Sequence, residues 1–349
     1  MGKQIGRMAA VLLTAALVIT GCGGAKTSTA PTSQGQTVQQ KKIKIGYLNV
    51  MDDAQAMLAK DAGLYAKNGL DVELQMFDSG TDLIKGIVSG ELQGGVLGFT
   101  NAVTWATKGA DIKVVGGAQM GYHSLLVRKD SGITKVSDLK GKKIASQQKG
   151  STADIVWNGV VLPQNGLTAK DVTMVYTSPA NAIQALAAGQ VDAAFVFEPY
   201  EQIASATSAI TSIYEIGKVW PFPCMVVITS GKLLNEDRAT VDAILTAQNE
   251  AIQMLQKDPK GSAKLLTSRF IKEESLKRPD GTAVLSVDVV QKAIESQMFH
   301  SEITPDEIKR MQDVIKLMLD QKIIDKEIQA ESFLDLTWQR NHPMAGMKM

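Results

Sequence analysis

The chain has few of the residues that most often carry redox or metal chemistry. Its 349 residues include two cysteines and three histidines, and aromatic residues make up 5% of the total. Two cysteines cannot build the disulfide framework of a small secreted scaffold. His123, His300 and His342 have spacings that form no metal-binding motif, so we expect neither a metal site nor a cofactor.

Charge of either sign is not in excess, because 37 basic and 36 acidic residues leave a net charge of +1. No basic stretch interleaved with aromatic residues occurs, which argues against a nucleic-acid partner. The chain also lacks the G-x-S-x-G and G-x-x-x-x-G-K-[ST] patterns of hydrolases and phosphate-binding loops. The sequence therefore offers no support for catalysis, and we expect a protein that is not an enzyme.

One apolar stretch lies at the start of the chain, from Met8 to Ile19, and follows Lys3 and Arg7. It is shorter than the roughly 20 residues that a membrane-spanning helix needs, so it predicts a signal peptide at residues 1–21. Residues 19–22, Ile-Thr-Gly-Cys, resemble a bacterial lipobox, although leucine is more usual than isoleucine at the first position. We expect Cys22 to be acylated; the alternative is an ordinary secretory signal with an incidental cysteine.

Residues 22–41 are rich in Gly, Ala, Ser, Thr, Pro and Gln and have almost no apolar bulk. Such a segment cannot bury enough surface to offset the entropy of ordering, so it predicts a flexible linker. The remaining chain of about 310 residues exceeds one ordinary hydrophobic core and indicates two domains or lobes.

A strand–helix–strand–helix–strand pattern occurs twice, at an offset of about 100 residues. Predicted strands lie at 43–47, 72–77 and 95–99 in the first copy, and at 143–146, 172–176 and 193–197 in the second. Alternation of this kind predicts an α/β protein with two lobes, each a mainly parallel sheet flanked by helices.

The lobes are expected to be joined by two crossing strands, Ser124–Arg128 and Met225–Thr229, which flank the second lobe in sequence. The predicted boundaries are 42–126 for the first part of lobe 1, 127–226 for lobe 2, and 227–349 for a return to lobe 1 with C-terminal helices. Apolar spacing places those helices at 239–256, 286–298 and 305–319.

Ligands of open α/β sheets bind beyond the carboxyl ends of the strands, and the loops at those ends can be read from the predicted strands. We expect the side chains of these loops to face one cleft. Two residues beside the crossing strands, His123 and Phe222, should face the same cleft. These candidate ligand-binding residues are Asn49, Asp52, Asp53, Thr100, Asn101, His123, Gly150, Ser151, Thr152, Glu198, Tyr200 and Phe222.

The candidate residues favour two kinds of ligand chemistry. Glycine, two hydroxyl groups and a helix start make residues 150–152 suitable for an oxyanion, although Ser151 or Thr152 also suits a helix cap. Asp52, Asp53 and Glu198 favour a ligand with cationic or donor character, and Asp53 also lies where a helix cap is expected. Cys224 lies in an apolar run and is expected to be a buried structural thiol.

Four passages together resemble the type II periplasmic binding proteins of the sulfonate, taurine and nitrate group, a superfamily that also contains thiamine-precursor binders. They are residues 45–74, with Ile-Gly-Tyr at the start and Gly-Leu-Asp-Val-Glu-Leu at the end, 136–145 (VSDLKGKKIA), 149–153 (KGSTA) and 189–200, from Gly-Gln-Val-Asp-Ala to Glu-Pro-Tyr.

The resemblance implies a monomeric, lipid-anchored solute-binding component on the extracytoplasmic face of the cell membrane, which closes its lobes on a solute and meets an ABC permease and its ATPase. The implied solute is an aliphatic sulfonate or taurine-like compound. Alternatives are a thiamine-precursor pyrimidine, disfavoured because residues 48–53 contain no aromatic side chain, a nitrate-like anion, and, from another class, an enzyme on the same fold.

Overall fold

The computed structural model describes residues 40–343, so the signal segment, Cys22 and nearly all of the linker lie outside the described residues. Residues 41–120 alternate strands with helices. The strands are β1 (Lys41–Leu48), β2 (Leu70–Phe77), β3 (Gly94–Gly98) and β4 (Lys113–Met120). The helices are α1 (Ala54–Asp61), α2 (Leu64–Lys67), α3 (Gly80–Val88) and α4 (Phe99–Ala106), and a 3-10 turn, Met51–Asp53, precedes α1.

Residues 124–219 form a second α/β group. Its strands are β5 (Ser124–Arg128), β6 (Lys143–Ser146), β7 (Thr173–Tyr176), β8 (Ala193–Val196) and β9 (Ile210–Glu215). Its helices are α5 (Thr152–Val156), α6 (Leu162–Gln164), α7 (Pro179–Ala187), α8 (Tyr200–Thr207) and α9 (Ile216–Val219). A 3-10 turn, Val136–Leu139, precedes β6, and a π-helical turn, Trp157–Val161, connects α5 to α6.

The C-terminal part begins with β10 (Pro223–Thr229) and is mainly helical. Its helices are α10 (Gly231–Glu236), α11 (Arg238–Lys257), α12 (Pro259–Phe270), α13 (Ser286–Glu295), α14 (Pro305–Asp320) and α15 (Thr337–Asn341). Its short strands are β11 (Ser275–Lys277), β12 (Ala283–Leu285) and β13 (Met298–Phe299), and a 3-10 turn spans Ala330–Phe333. The second predicted helix region, 286–298, ends early at Glu295 because Met298 and Phe299 pair with β4.

The strands form two sheets and a small hairpin of β11 and β12. The first sheet has the order β13-β4-β10-β3-β1-β2 and defines lobe 1, and the second has the order β7-β6-β8-β5-β9 and defines lobe 2. In lobe 1, β1 pairs in parallel with both β2 and β3; in lobe 2, β6 pairs in parallel with both β7 and β8. The repeated pattern thus builds the same three-stranded parallel core in each lobe, and the predicted α/β fold class is confirmed.

The local sequence explains why these elements form. In α3 the Ser79 hydroxyl accepts a hydrogen bond from the Asp82 amide, which caps the first turn. Leu83, Ile84 and Ile87 then recur at helical spacing and are fully or almost fully buried against the sheet. In α14, Thr304 and Glu307 form a reciprocal capping box. Helix ends are therefore determined locally, whereas the buried faces fix how the helices pack.

The two predicted crossing strands differ from the observed connections. Both segments are strands, but β5 lies within the lobe 2 sheet and β10 within the lobe 1 sheet. The chain passes between the sheets at residues 121–123 and again at residues 216–222. The predicted boundaries at 126/127 and 226/227 therefore fall inside strands, because apolar runs identify strands without showing which sheet they join.

The C-terminal helices pack on both lobes. Helix α11 lies against α1 and α2 of lobe 1, whereas α13 contacts α8 of lobe 2 and α14 contacts both α4 and α5. The Gln321 side chain, just after α14, donates a hydrogen bond of 2.8 Å to the Ile155 carbonyl. Within residues 40–343, none of the helices combines the length and apolar character required to cross a membrane.

Candidate functional site

The carboxyl ends of the parallel strands of the two lobes meet along one edge. After β3 the chain turns directly into α4, which brings Thr100 to this edge from lobe 1, and after β6 it reaches α5, which brings Thr152 from lobe 2. Their hydroxyl groups lie 3.0 Å apart and are buried. A Cβ atom on Gly98 would lie 2.9 Å from the Thr152 hydroxyl oxygen, so the lobes are in close contact here.

A second contact between the lobes lies on the loop after β1. The Met51 amide donates a hydrogen bond of 3.1 Å to the Glu198 carbonyl oxygen in lobe 2. Asp52, the next residue, is 3% exposed. The predicted ends of β1, β3, β6 and β8 are thus brought together, as expected for a cleft between two open α/β sheets.

Asp52, His123 and Cys224 form a buried group at this edge. Each offers one ligand-type atom, and the three atoms lie within 4.8 Å of one another. Burial raises the pKa of Asp52 to about 8, and the charge of Glu198 adds to this effect. Burial lowers the pKa of His123 to about 4 and raises the pKa of the Cys224 thiol, an effect that the nearby Thr152 hydroxyl opposes.

Asp53 lies at the N-cap position of α1, but its carboxylate does not cap the helix as expected. It instead accepts a hydrogen bond of 2.7 Å from the Leu48 amide, which ties the end of β1 to the turn before α1. Burial raises the pKa of Asp53 well above its usual value, and the hydrogen bond from Leu48 opposes this shift. The carboxylate of Asp53 therefore shapes the loop that places Asp52.

The loop at Gly150 and Ser151 is occupied by a carboxylate of the protein itself. Gly150 has a φ of +79°, in the left-handed region, and its amide donates a hydrogen bond of 2.8 Å to Asp154. Ser151 is the N-cap of α5 and accepts from the Asp154 amide, so the capping interpretation holds for this residue. Asp154, which the sequence analysis missed, also accepts hydrogen bonds from Asn158 and from Tyr176.

Glu198 is a buried carboxyl group with three hydrogen-bond donors. It accepts from the backbone and side-chain amides of Gln202 and, at 2.9 Å, from the Ser296 hydroxyl, which follows α13. Burial raises its pKa to about 7, the charge of Glu201 adds to this, and the hydrogen bonds from Gln202 and Ser296 oppose it. Glu198 thereby joins the start of α8 to the C-terminal part of the chain.

Aromatic rings surround His123. The rings of Phe195, Phe197 and Phe222 lie 5.7, 6.0 and 6.4 Å from it, measured between centroids. Phe222 is fully buried, whereas Tyr200 is partly exposed and meets Phe197 edge to face at 5.6 Å. These rings form the apolar wall of the interlobe edge.

Two of the predicted candidates make contacts within lobe 1, and Asn101 also lies beside Gly98 at the interlobe edge, where an added Cβ would meet its amide nitrogen at 3.4 Å. The Asn49 side chain donates a hydrogen bond of 3.1 Å to the Arg269 carbonyl in α12 and lines a surface cavity with Tyr47 and Met76. The Asn101 amide group packs against Gly80 at the start of α3, where an added Cβ would meet it at 2.7 Å. Both residues therefore contribute contacts within lobe 1.

Several buried polar atoms near the interlobe edge have no hydrogen-bond partner among the described residues. They belong to Asp52 (Oδ1), His123 (Nδ1), Ser146 (Oγ), Gln147 (Nε2) and Trp157 (Nε1). Native proteins pair nearly all such groups, so a cluster of exceptions marks a place where a ligand or water supplies the partner. Ser146 and Trp157 were not among the sequence candidates: Ser146 ends β6, and Trp157 begins the π-helical turn after α5.

Two α/β lobes that meet across the carboxyl ends of their parallel strands define a two-lobed ligand-binding fold. Solved structures share it: the alkanesulfonate-binding protein from Xanthomonas axonopodis pv. citri, bound to MOPS, superposes with a TM-score of 0.72 at 24% identity. That match covers 85% of this chain and 99% of the other. Residues 36–268 match the NMT1-like family, and the chain belongs to that family.

Two named relatives align with this chain over different lengths. A putative aliphatic sulfonates-binding protein of Bacillus subtilis (strain 168) is 28% identical over 335 residues, which are 94% of each chain. The taurine-binding periplasmic protein of Escherichia coli (strain K12) is 28% identical over 182 residues, covering 52% of this chain and 53% of the relative. The first similarity therefore extends over nearly the whole chain.

Proposed function

We propose that this protein is the extracytoplasmic solute-binding component of an ABC importer and that it captures an aliphatic sulfonate or taurine-like compound by closing its two lobes. The observation that carries the proposal is the contact between the Thr100 and Thr152 hydroxyl groups, which lie on helices of opposite lobes. A solute held there would be sequestered between the lobes, and the closed form is the one presented to a permease.

The helix ends at this contact favour an anionic group. Helix α4 begins after Gly98, which has no side chain to cap the first amide groups, and α5 begins at Thr152. Free amide groups at a helix start carry partial positive charge and bind oxyanions. The uncapped start of α4, together with the Thr100 and Thr152 hydroxyl groups from the two lobes, matches the oxygen atoms of a sulfonate.

The apolar wall supports an organic solute over a bare inorganic anion. Phe197 and Tyr200 lie on the lobe 2 side of the edge, and Phe222 lies on the connection between the lobes. Such rings pack against a short alkyl chain, whereas the hydroxyl and amide groups bind its charged end. The names of the Bacillus, Escherichia and Xanthomonas relatives agree with this chemistry.

The proposal includes anchoring through Cys22 on the extracytoplasmic face of the membrane, action as a monomer and a partnership with permease and ATPase subunits. Its support is the lipobox-like sequence at residues 19–22 and the linker that follows, both outside the described residues. A tether of this kind keeps a binding protein within reach of its transporter. Binding without chemical conversion of the solute is part of the same proposal.

Isothermal titration calorimetry against methanesulfonate, taurine, nitrate and a thiamine-precursor pyrimidine tests the ligand class. We expect saturable binding of methanesulfonate or taurine. In a separate thermal-unfolding assay, the unfolding temperature should rise as the concentration of that ligand increases. Binding of the pyrimidine alone, or of nitrate alone, would overturn the sulfonate proposal. Release of sulfite from a bound sulfonate during the incubation would show an enzyme instead of a binding protein.

A further inference from the structure

We propose that Asp52, His123 and Cys224 form a zinc site at the base of the cleft. The three residues come from separate parts of the fold: the 3-10 turn after β1, the connection at residues 121–123, and β10. Their ligand atoms all lie within 4.8 Å of one another. A zinc ion with bond lengths of about 2.0–2.3 Å holds tetrahedral ligand atoms roughly 3.3–3.8 Å apart, so small side-chain movements bring these three atoms onto one ion.

Burial makes this group different from an exposed cluster of polar side chains. Asp52 and His123 are each 3% exposed, and Cys224 is 2% exposed. Within residues 40–343, neither Asp52 Oδ1 nor His123 Nδ1 has a hydrogen-bond partner. An unpaired buried polar group destabilises the fold, and a metal ion bound between the two side chains gives both of them a partner.

The combination of donor atoms selects the metal. One carboxylate oxygen, one imidazole nitrogen and one thiolate sulfur are the ligand types of zinc, whereas magnesium and calcium prefer oxygen ligands alone. A carboxylate and a thiolate together balance the two positive charges of Zn²⁺ inside the protein. Three protein ligands leave the fourth tetrahedral position open to a water molecule or solute oxygen.

The open position has a defined neighbour. The Thr152 hydroxyl, on lobe 2, lies near the Cys224 thiol and 3.0 Å from the Thr100 hydroxyl. A zinc ion bound by Asp52, His123 and Cys224 therefore lies beside the contact that joins the lobes. Opening of the lobes moves Thr152 away and gives the ion a path into the site.

Cobalt substitution tests the site with the metal alone. The full chain carrying Cys22→Ser retains Cys224 as its only thiol, because the sequence contains two cysteines. We expect one equivalent of Co²⁺ to produce a thiolate-to-cobalt charge-transfer band and the strong visible bands of tetrahedral cobalt, and one equivalent of Zn²⁺ to remove both. Absence of the charge-transfer band would overturn the proposal.

Variants assign the remaining ligands. In the same background, we expect Cys224→Ser to abolish the charge-transfer band, and Asp52→Asn or His123→Gln to weaken Co²⁺ binding at least tenfold. His300→Gln is the matched control, because His300 is also largely buried but lies 3.1 Å from Glu307 in another part of the chain. A band that is unaffected by both Asp52→Asn and His123→Gln would show a different metal site and refute this one.

The cobalt spectrum of the Cys22→Ser chain, in which Asp52, His123 and Cys224 are unchanged, does not depend on whether the variants fold. Circular dichroism of each variant identifies any that are unfolded, and the spectrum of the Cys22→Ser chain then decides the question alone. The zinc site and the sulfonate proposal fail independently, because calorimetry with methanesulfonate in the presence of a chelator tests the solute without the metal.

Discussion

The hydroxyl groups of Thr100 and Thr152 lie 3.0 Å apart at the starts of two helices that belong to different lobes. Each threonine is buried, at 1% and 6% exposure. The same two residues lie beside Gly98, whose missing side chain permits the close approach of α4 to α5. This contact therefore joins the two lobes at the ends of their parallel strands.

Replacement of Thr152 by valine keeps the shape of the side chain and removes its hydroxyl group. We expect methanesulfonate affinity to fall about 5- to 10-fold, because one hydrogen bond contributes on the order of 1 kcal/mol and 1.4 kcal/mol corresponds to a factor of ten. Calorimetry measures the change.

The matched control for that variant is Thr229→Val. Thr229 is a buried threonine in β10 whose hydroxyl donates a hydrogen bond of 2.7 Å to the Gln93 carbonyl within lobe 1. The Thr229→Val variant should lower the stability of the protein without changing its affinity for methanesulfonate. Equal affinity losses in the two variants would contradict a specific role for the interlobe contact.

Replacement of Gly121 by alanine should destabilise the first connection between the lobes. A Cβ atom there would lie 2.1 Å from the nearest atom of the Phe222 ring, far inside van der Waals contact. Overpacking of this kind costs about 1–3 kcal/mol, so we expect a lower midpoint of urea unfolding.

The double variant Gly121→Ala, Phe222→Leu provides the test of cause. A leucine side chain lacks the ring atoms that the new Cβ would meet, so the second substitution should recover part of the stability lost in the first. Additive losses in the double variant would show that the clash with Phe222 is not the reason.

The pair Arg238 and Asp335 should make stability depend on acid. Arg238 contacts both carboxylate oxygens, at 2.7 and 3.3 Å, and its hydrogen bonds lower the pKa of Asp335 to about 2. An unfolded aspartate titrates near 3.9, so the folded state holds the charged form more strongly. The contribution is complete above about pH 5 and disappears as the pH falls toward 2.

Asp335→Asn should therefore lower the free energy of unfolding by about 0.5–1 kcal/mol at pH 7, a value typical of a partly exposed ion pair, and by less at pH 3. Urea titrations at the two pH values measure the difference. Asp325→Asn is the control, because Asp325 is exposed and makes no ion pair or hydrogen bond with any of residues 40–343. A loss that is independent of pH would contradict the ion-pair explanation.

Cys22→Ser should prevent lipid attachment in a bacterial host with lipoprotein-processing enzymes. We expect intact-mass measurement of the wild-type chain to show an acylated N-terminus at Cys22, and that of the variant to show an unacylated chain that retains residues 1–21. Cys224→Ser is the control and should leave acylation unchanged. A wild-type chain that is cleaved but carries no acyl group would support an ordinary secretory signal.

Much of the fold could be predicted because strands and helices are encoded over short stretches. Alternating and helical spacing of apolar residues identified both copies of the repeat, and β1 and β6 each pair in parallel with the other two strands of their copy. The crossing strands were placed wrongly because a strand's neighbours depend on backbone pairing over long sequence distances. β5 pairs with β8 and β9, whereas β10 pairs with β3 and β4.

The candidate site was less accessible from the sequence. Knowledge of the strand ends was sufficient to place Thr100 and Thr152 in the same region. It did not show that Asn49 turns to α12, or that the carboxylate of Asp154 takes the Gly150 amide. A side chain's direction depends on the final loop geometry and on competing hydrogen-bond partners, neither of which is a property of a short segment.

The sequence by itself determined the class of the molecule: its composition, its two copies of a βαβαβ pattern and the lipobox-like start at Cys22 are all local features. Only the tertiary structure decided which residues share the cleft. Asp52, His123 and Cys224 are far apart along the chain and carry no common motif, yet their ligand atoms lie within 4.8 Å. The reason is that sheet pairing and lobe closure act between distant segments, and these long-range contacts create the chemistry of the site.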